Sequence, residues 1–250
     1  MVPDMSDESL KLKEIVANSK HLVAFTGAGL SAESGIPTYR GAGGLWSQYD
    51  PAKYANIQYF LQDPSYYWNF FKDVRYPTLK KARPNPAHDA LAALEKQGIL
   101  KLVITQNIDG LHQEAGQSHV CELHGNTRQI VCLDCSKTLT MDEVFEEFIA
   151  KDQIPPACSC GGILKPDVVL FGEALPPEAL QEAHGAASFC DTFLVVGSSL
   201  QVYPAAQIPL IAKENGAVLA IVNLDPTPLD HEADLVIHDS AAQVLSALIQ

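Results

Sequence analysis

The run from His21 to Pro37, HLVAFTGAGLSAESGIP, constrains this chain more than any other stretch. His21-Leu22-Val23-Ala24-Phe25 is short and apolar, and it predicts a buried parallel strand. Gly27-x-Gly29-x-x-Ala32 comes directly after it, with the spacing of a dinucleotide fingerprint. The first glycine permits the tight turn. The second lets the backbone approach a pyrophosphate, and the small third residue lets a helix pack close to the strand. Ser31 and Ser34 offer hydroxyls, or cap the helix this pattern predicts. Gly-rich turns also serve packing alone, so the fingerprint needs support from elsewhere in the chain.

That support comes from further apolar runs of the same kind. Leu100-Lys101-Leu102-Val103-Ile104-Thr105 predicts a second buried strand running into Gln106-Asn107-Ile108-Asp109. Strands are also predicted from Val120 to a close on His124-Gly125, from Phe193 into Gly197-Ser198-Ser199, and from Ala217 into Asn223-Leu224-Asp225. Leu235-Val236-Ile237 is a last short one, and Leu164 to Glu173 returns to the same pattern. Helical spacing occupies residues 9–19, 87–97 and the C-terminal stretch. Strands alternating with helices predict an α/β fold with a parallel sheet covered on both faces. Small and hydroxyl residues at such strand ends suit phosphate, while amide and acid groups suit ribose. No acidic residue ends a second strand about twenty residues after the fingerprint, the usual ribose contact. Asp50 has the distance but sits in loop sequence, so Asn223 or Asp225 is the better candidate.

Residues 35–46 form a long loop in which glycines flank Tyr39, Arg40 and Trp46. A loop of this length is usually functional, and it reads as a flap over a nucleotide, with Arg40 a phosphate or ribose contact. Residues 50–81 are rich in aromatics and predict two or three short helices, with Pro51 and Pro64 at helix starts. Cys132-x-x-Cys135, a gap of twenty-two residues, and Cys158-x-Cys160 form two close pairs at ribbon-like separation. That pattern predicts a Zn site, and four thiolates close its shell, so the metal is structural. Cys121 and Cys190 stand outside the set and read as buried thiols.

The formal net charge of −13 argues against a nucleic-acid or anionic-lipid footprint and is compatible with a lysine-rich protein partner. Met1 to Glu8 is acidic and lacks the apolar core of a signal peptide, and no apolar stretch reaches membrane-span length. A cytoplasmic protein is expected, in which cysteines serve metal rather than disulfides. Nothing in the sequence fixes an oligomeric state.

Taken together and in order, these motifs resemble the sirtuins, NAD-dependent protein-lysine deacylases, above all their compact prokaryotic members. The resemblance runs from Gly27 to Pro37 through Thr105 to His112, Leu123-His124-Gly125, the four cysteines, Val168 to Glu173, Gly197-Ser198-Ser199 and Asn223 to Pro226. It implies one catalytic unit with a small inserted Zn ribbon and helical module. The large Rossmann-like domain would comprise 1–40, 85–125 and 165–250. The small domain would comprise 41–84 (the helical module) and 126–164 (the ribbon). It implies NAD and one Zn as cofactors, and an acyl-lysine protein as substrate. His124 would be general base on the ribose hydroxyls, and Asn107 would act with it. Gln106, Asn107, Ile108 and Asp109 would hold the ribose and the nicotinamide amide. Further NAD contacts would come from Gly27, Ala28, Gly29, Ser31, Glu33, Ile36, Pro37, Thr38, Tyr39, Arg40, Trp46, Gly197, Ser198, Ser199, Asn223, Leu224, Asp225 and Ala241. Val168, Val169, Leu170, Phe171, Gly172 and Glu173 would bind the substrate peptide by strand addition. Without the resemblance, His124 reads as a hydrogen-bonded core histidine.

Two features qualify the likeness. Thr38-Tyr39-Arg40 stands where the family commonly has Phe in the middle, adding a hydroxyl to an aromatic wall. Family members that prefer succinyl or malonyl lysine carry a Tyr and an Arg three apart on the helix lining the acyl channel. Here that helix would be Tyr66 to Arg75, and the matching positions, counted from Trp68, hold Phe71 and Val74. Neutral acyl groups are therefore expected, acetyl first. Two other readings stay open, protein mono-ADP-ribosyl transfer and a non-enzymatic NAD-sensing module.

Overall fold

The structure is a computed structural model and describes residues 6–41 and 43–249. Residues Met1 to Met5, most of the acidic N-terminal segment, lie outside the described residues. The strands, in chain order, are β1 (Leu22–Thr26), β2 (Leu100–Thr105), β3 (Val120–Glu122), β4 (Gly125–Cys132), β5 (Thr138–Thr140), β6 (Leu164–Val168), β7 (Thr192–Val196), β8 (Val218–Val222) and β9 (Leu235–Ile237). Six of them form a parallel main sheet in the order β3-β2-β1-β7-β8-β9. Every residue of β1 and β7 is buried, as a strand covered on both faces requires. Alternate residues of β1 enter opposite layers. Leu22 and Ala24 pack with Leu12, Leu91 and Leu245 on one face. Val23 and Phe25 pack with Ala183, Phe193 and Ile208 on the other.

The helices that cover the sheet begin where the sequence supplies caps. Ser6 accepts from the Ser9 N–H at the head of the helix Asp7–Asn18, with Asp7 and Glu8 in its first turn. Asn85 caps the helix Pro86–Lys96, whose proline sits at the first position. Both lie where the apolar spacing predicts helices.

A second sheet of three strands has the order β5-β4-β6. The stretch from Leu164 corrects the sequence reading. β6 runs antiparallel to β4 in this small sheet and joins no parallel strand. An apolar run records burial, not the identity of the neighbouring strand. The helical module between Pro51 and Lys81 packs onto this sheet through Phe60, Trp68 and Phe71, against Ile130, Val144 and Leu164. Trp68 Nε1 donates to the Leu164 carbonyl at 3.1 Å, locking module to ribbon. Within this module Phe71–Arg75 is a π-helical turn between α-helical Ser65–Phe70 and Tyr76–Lys81. Such a turn carries one extra residue and rotates the facing of the residues after it.

Gly125 joins the two sheets and has φ +70°. A Cβ there would lie 2.0 Å from the Asp167 carbonyl oxygen on β6, a backbone atom that cannot turn aside. Gly125→Ala is therefore expected to cost about 2–4 kcal/mol of stability, from the left-handed strain and the forced separation of β4 and β6. Denaturant unfolding measures it.

Candidate active site

In the order 3-2-1-7-8-9 the chain reverses its direction of travel between β1 and β7. Open α/β sheets form a ligand crevice at such a switch point, outside the carboxyl ends of the strands. The loops that meet there are Gly27 to Gly29 after β1 and Gly197 to Ser199 after β7. They interlock. A Cβ on Gly27 would lie 2.8 Å from the Gly197 carbonyl oxygen, and one on Gly197 would lie 2.2 Å from the Leu30 nitrogen. Gly29 N–H donates to the Gly197 carbonyl at 2.8 Å. The close approach that these glycines permit is thus first of all between the two loops. The helix expected after the fingerprint is only a 3-10 turn, Ala32–Ser34, and Ser31 does not cap it.

Above this floor lies a cavity of about 670 Å³, well inside the usual range for a cofactor-sized site. Its lining brings together Gly27, Ala28, Gly29, Thr38, Tyr39, Arg40, Trp46, Gln106, Asn107, Ile108, His124, Gly197, Ser198, Ser199, Asn223, Leu224, Asp225 and Ala241. It also includes Val168 to Glu173. Five expected contacts lie off this lining. The Ser31 hydroxyl donates to Asp109 Oδ2 at 2.8 Å, and the second Asp109 oxygen accepts from the Leu111 N–H at 2.9 Å. Glu33 accepts from the Ser240 hydroxyl. Ile36 is buried against Ala82 and Leu111, and Pro37 comes after it at the start of the flap.

His124 lies two residues beyond the end of β3 and is the one histidine among the residues lining the cavity. Its Nδ1 lies 3.1 Å from the Gln106 carbonyl. A carbonyl only accepts, so Nδ1 carries the proton and Nε2 keeps its lone pair. Burial pushes the imidazole pKa below its ordinary 6.5, against the opposing pull of that carbonyl. The His124 carbonyl in turn accepts from the Val169 N–H at 2.9 Å. One residue therefore links the β3 loop to the 168–173 segment. Asn107 donates through Nδ2 to the Gly27 carbonyl at 3.0 Å and to Ser31 Oγ at 3.2 Å. Those bonds use both amide hydrogens and leave Oδ1 without a protein donor among the described residues. Gln106 Nε2 donates to Ser198 Oγ at 2.7 Å, tying β2 to β7 at the same level.

The segment 168–173 is held by a buried lysine paired with a partly exposed glutamate, which composition does not reveal. Lys165, 7% exposed, places Nζ 2.6 Å from the Val168 carbonyl and 3.0 Å from Glu173 Oε2. Glu173 Oε2 also accepts from the Leu170 N–H at 2.7 Å. Phe171 pairs with the helical module through the Ala55 carbonyl and the Ile57 N–H. The Val169 carbonyl is left without an internal donor among the described residues, open to an incoming strand. Beneath the floor a second polar chain escapes sequence reading. This buried network runs Thr105–Thr26–His112, with Thr26 Oγ1 2.8 Å from Thr105 Oγ1 and 2.9 Å from His112 Nε2.

The expected apolar wall of the acyl channel is the clearest correction. Phe71 turns into the module core, 1% exposed, and Val74 does not line the cavity. Arg75 does, together with Tyr54, Tyr67 and Phe70. The π-turn carries Arg75 inward, where an α-helical count would not put it. Its NH2 donates to the Tyr39 hydroxyl at 2.9 Å, and its guanidinium carbon lies 5.1 Å from the centre of that ring.

Away from the cavity, the Sγ atoms of Cys132, Cys135, Cys158 and Cys160 all lie within 4.8 Å of one another. Cys132–Cys160 is 3.6 Å and Cys135–Cys158 is 3.7 Å, with no disulfide. Four sulfurs on a tetrahedron about 2.3 Å from a zinc would stand ~3.8 Å apart, so the set fits that ion. Gly162 keeps the knuckle open, since a Cβ there would come within 2.8 Å of Cys132 Sγ. Cys121 and Cys190 are buried thiols, both pushed up by burial, to about 12 and about 11.

Comparison with known proteins agrees with this geometry. Residues 27–204 match the family model described as the Sir2 family. The chain is 51% identical to NAD-dependent protein deacylase 2 of Archaeoglobus fulgidus, over 98% of this chain and 96% of that one. It is 47% identical to the NAD-dependent protein deacetylase of Sulfurisphaera tokodaii, over 96% and 94%. Among solved structures, one from work on the mechanism and regulation of Sir2 enzymes superposes with TM-score 0.92 at 51% identity, covering 98% of this chain and 97% of that one. A Sir2 enzyme with a p53 peptide and NAD+ superposes at 0.88 with 39% identity, covering 96% of each. The match spans most of the chain, the cavity and the cysteine cluster alike, and the chain belongs to the Sir2 family.

Proposed function

We infer that the chain is an NAD-dependent protein-lysine deacylase whose chemistry centres on His124. The observation that carries the reading is His124 itself, which lines one cavity together with the glycine loops and the 168–173 segment and whose Nδ1 is committed to the Gln106 carbonyl, leaving Nε2 unprotonated. NAD, when bound, supplies a cleavable bond to nicotinamide and an ADP-ribose acceptor for the acyl group. The residues present suit it. The interlocked glycine loops and the Ser199 hydroxyl offer the polar backbone and small side chains that a pyrophosphate needs. Asn107 Oδ1 is free to accept from a ribose hydroxyl. Asn223 and Asp225 stand at the end of β8 for the other ribose, and Tyr39, Arg40 and Trp46 close over the dinucleotide from the flap.

Substrate peptide adds beside residues 168–173, with the open Val169 carbonyl as an acceptor, and the Lys165–Glu173 pair holds that segment in shape. The acyl-lysine then reaches His124 along the wall of Tyr67, Phe70 and Arg75. His124 takes a ribose hydroxyl proton onto Nε2, while the Gln106 carbonyl keeps Nδ1–H aligned and steadies the imidazolium. The relatives are named deacylases and deacetylases, and Sir2 structures contain peptides, which supports a peptide partner here. No described helix is long and apolar enough to cross a membrane.

Nicotinamide release from NAD that depends on an acyl-lysine peptide tests this reading; release indifferent to the peptide contradicts it. The pH profile tests His124 itself. A base works only unprotonated, and burial lowers its pKa in the folded enzyme. Deacylation is therefore expected to hold its rate as pH falls to 6.5 and to decline only below it. An acid limb centred above 6.5 would assign the profile to another group.

A further inference from the structure

The stretch from Asn223 to Thr227 leaves the carboxyl end of β8, and Asn223, Leu224, Asp225 and Pro226 line the reaction cavity. Leu224 is 72% exposed, an apolar side chain outside the buried clusters of the core. A loop that displays such groups at fixed positions needs ties from outside itself. They run through His238, the residue directly after β9. Its Nδ1 lies 3.1 Å from the Asn223 carbonyl oxygen. A carbonyl only accepts, so Nδ1 carries a hydrogen and donates it. Its Nε2 lies 3.2 Å from Asp230 Oδ2. The other Asp230 oxygen accepts from the Thr227 hydroxyl at 2.6 Å. One carboxylate thereby joins both ends of the loop, Thr227 directly and Asn223 through the imidazole. The Asn223 N–H donates to the Ile237 carbonyl at 3.1 Å, and its side-chain amide donates to the Asp225 carbonyl at 2.6 Å. Both backbone groups of Asn223 are thus held by consecutive residues, Ile237 and His238.

The main sheet does not need the imidazole. The β8–β9 ladder pairs Ala220 to Val222 with Leu235 to Ile237, and His238 stands past its end. The side chain is 40% exposed and lies outside the core clusters, so packing does not account for a ring at this position. Without it the Asn223 carbonyl has no donor among the described residues, and the Asn223–Leu224 peptide is free to turn. A peptide turns as one rigid plane, so that motion displaces Leu224 and redirects Asp225 behind it. Asp225 also faces the flap, since a Cβ on Gly41 would lie 3.5 Å from its Oδ2. The hydrogen bonds that an amide and an acid offer a ribose weaken steeply once their angles are lost. Resting on the reading that this cavity takes NAD, we propose that His238 is a positioning residue for the dinucleotide, holding the 223–227 loop in the shape that receives the ribose beside β8. It does not line the cavity and acts through the Asn223 carbonyl.

The test is calorimetric titration of ADP-ribose into the full enzyme, beside steady-state kinetics. His238→Ala is expected to weaken ADP-ribose binding about 5-fold or more, the scale of one lost hydrogen bond, and to raise KM for NAD by a similar factor with kcat unchanged. Two carboxamide variants locate the donor. His238→Asn keeps a nitrogen donor at the place of Nδ1 and should restore most of the affinity. His238→Gln carries its nitrogen to the place of Nε2, toward Asp230, and should not. These two variants differ little in bulk and polarity, so their comparison stands even if His238→Ala melts below the assay temperature. Parent-like affinity in His238→Ala overturns the proposal. Rescue by His238→Gln equal to that by His238→Asn overturns it too, because the ring would then be a filler and not a donor. So does a lowered kcat at unchanged KM for NAD, which would put the effect at the reacting end of the cavity. Failure of the NAD reading looks different, because the parent enzyme would then bind no ADP-ribose at all.

Discussion

His124→Ala is expected to lower deacylation by about 10²-fold or more, the usual scale for a lost general base. The size reflects how much the imidazole does alone in this cavity. Nδ1–H is committed to the Gln106 carbonyl, Nε2 is free, and no other side chain in the lining is an imidazole with a neutral lone pair. Glu173 also lines the cavity, but Lys165 and the Leu170 N–H occupy its carboxylate. NAD affinity should change little, since the glycine loops and the flap do not depend on this side chain. Steady-state kinetics and NAD titration together check both halves. A variant with wild-type kcat would remove His124 from the chemistry. One that loses NAD binding instead would make it a cofactor-binding residue.

Cys132→Ser is expected to release the metal and melt the enzyme roughly 8–16 °C lower. Metal binding of this kind is folding free energy, and a loss of ~4 kcal/mol moves Tm by about 2–4 °C per kcal/mol in a chain of this length. Cys132 is 1% exposed and packs in the same cluster as Trp68, Phe71 and Leu164, so the ribbon and the helical module should loosen together. Metal analysis and calorimetry measure both effects. A metal-free variant that melts like the parent would make the cluster dispensable to the fold. The reaction cavity is separate from these sulfurs, so residual folded protein should retain its acyl preference.

The sheet and the cysteine cluster were legible because each is written locally. A short apolar run ending at the glycine turn marks a strand buried on both faces, and two cysteine pairs at close spacing mark a shared small ion. The converging strand ends came from topology, since all six parallel strands present their carboxyl ends on one side. Three things were not legible, each for a physical reason. The partner of β6 is set by the ribbon turn between Cys132 and Leu164, not by the composition of the strand. Lys165, paired with partly exposed Glu173, buries a charge that reads as surface in any hydropathy pattern. Arg75 is displaced by a π-turn, and a helical count assumes a period that the turn interrupts. The five expected NAD contacts off the lining lie within or next to motifs that serve the fold. Ser31 and Asp109 hold each other, Glu33 reaches Ser240, and Ile36 packs inward with Pro37 beside it.

The most direct measurement of the central claim is the mass of both products after one turnover with NAD and an acyl-lysine peptide. The account predicts a peptide lighter by the acyl group, free nicotinamide, and ADP-ribose heavier by that acyl group, all in equal amounts. A peptide that keeps its acyl group and gains ADP-ribose, or an acyl group released without consumption of NAD, would contradict it.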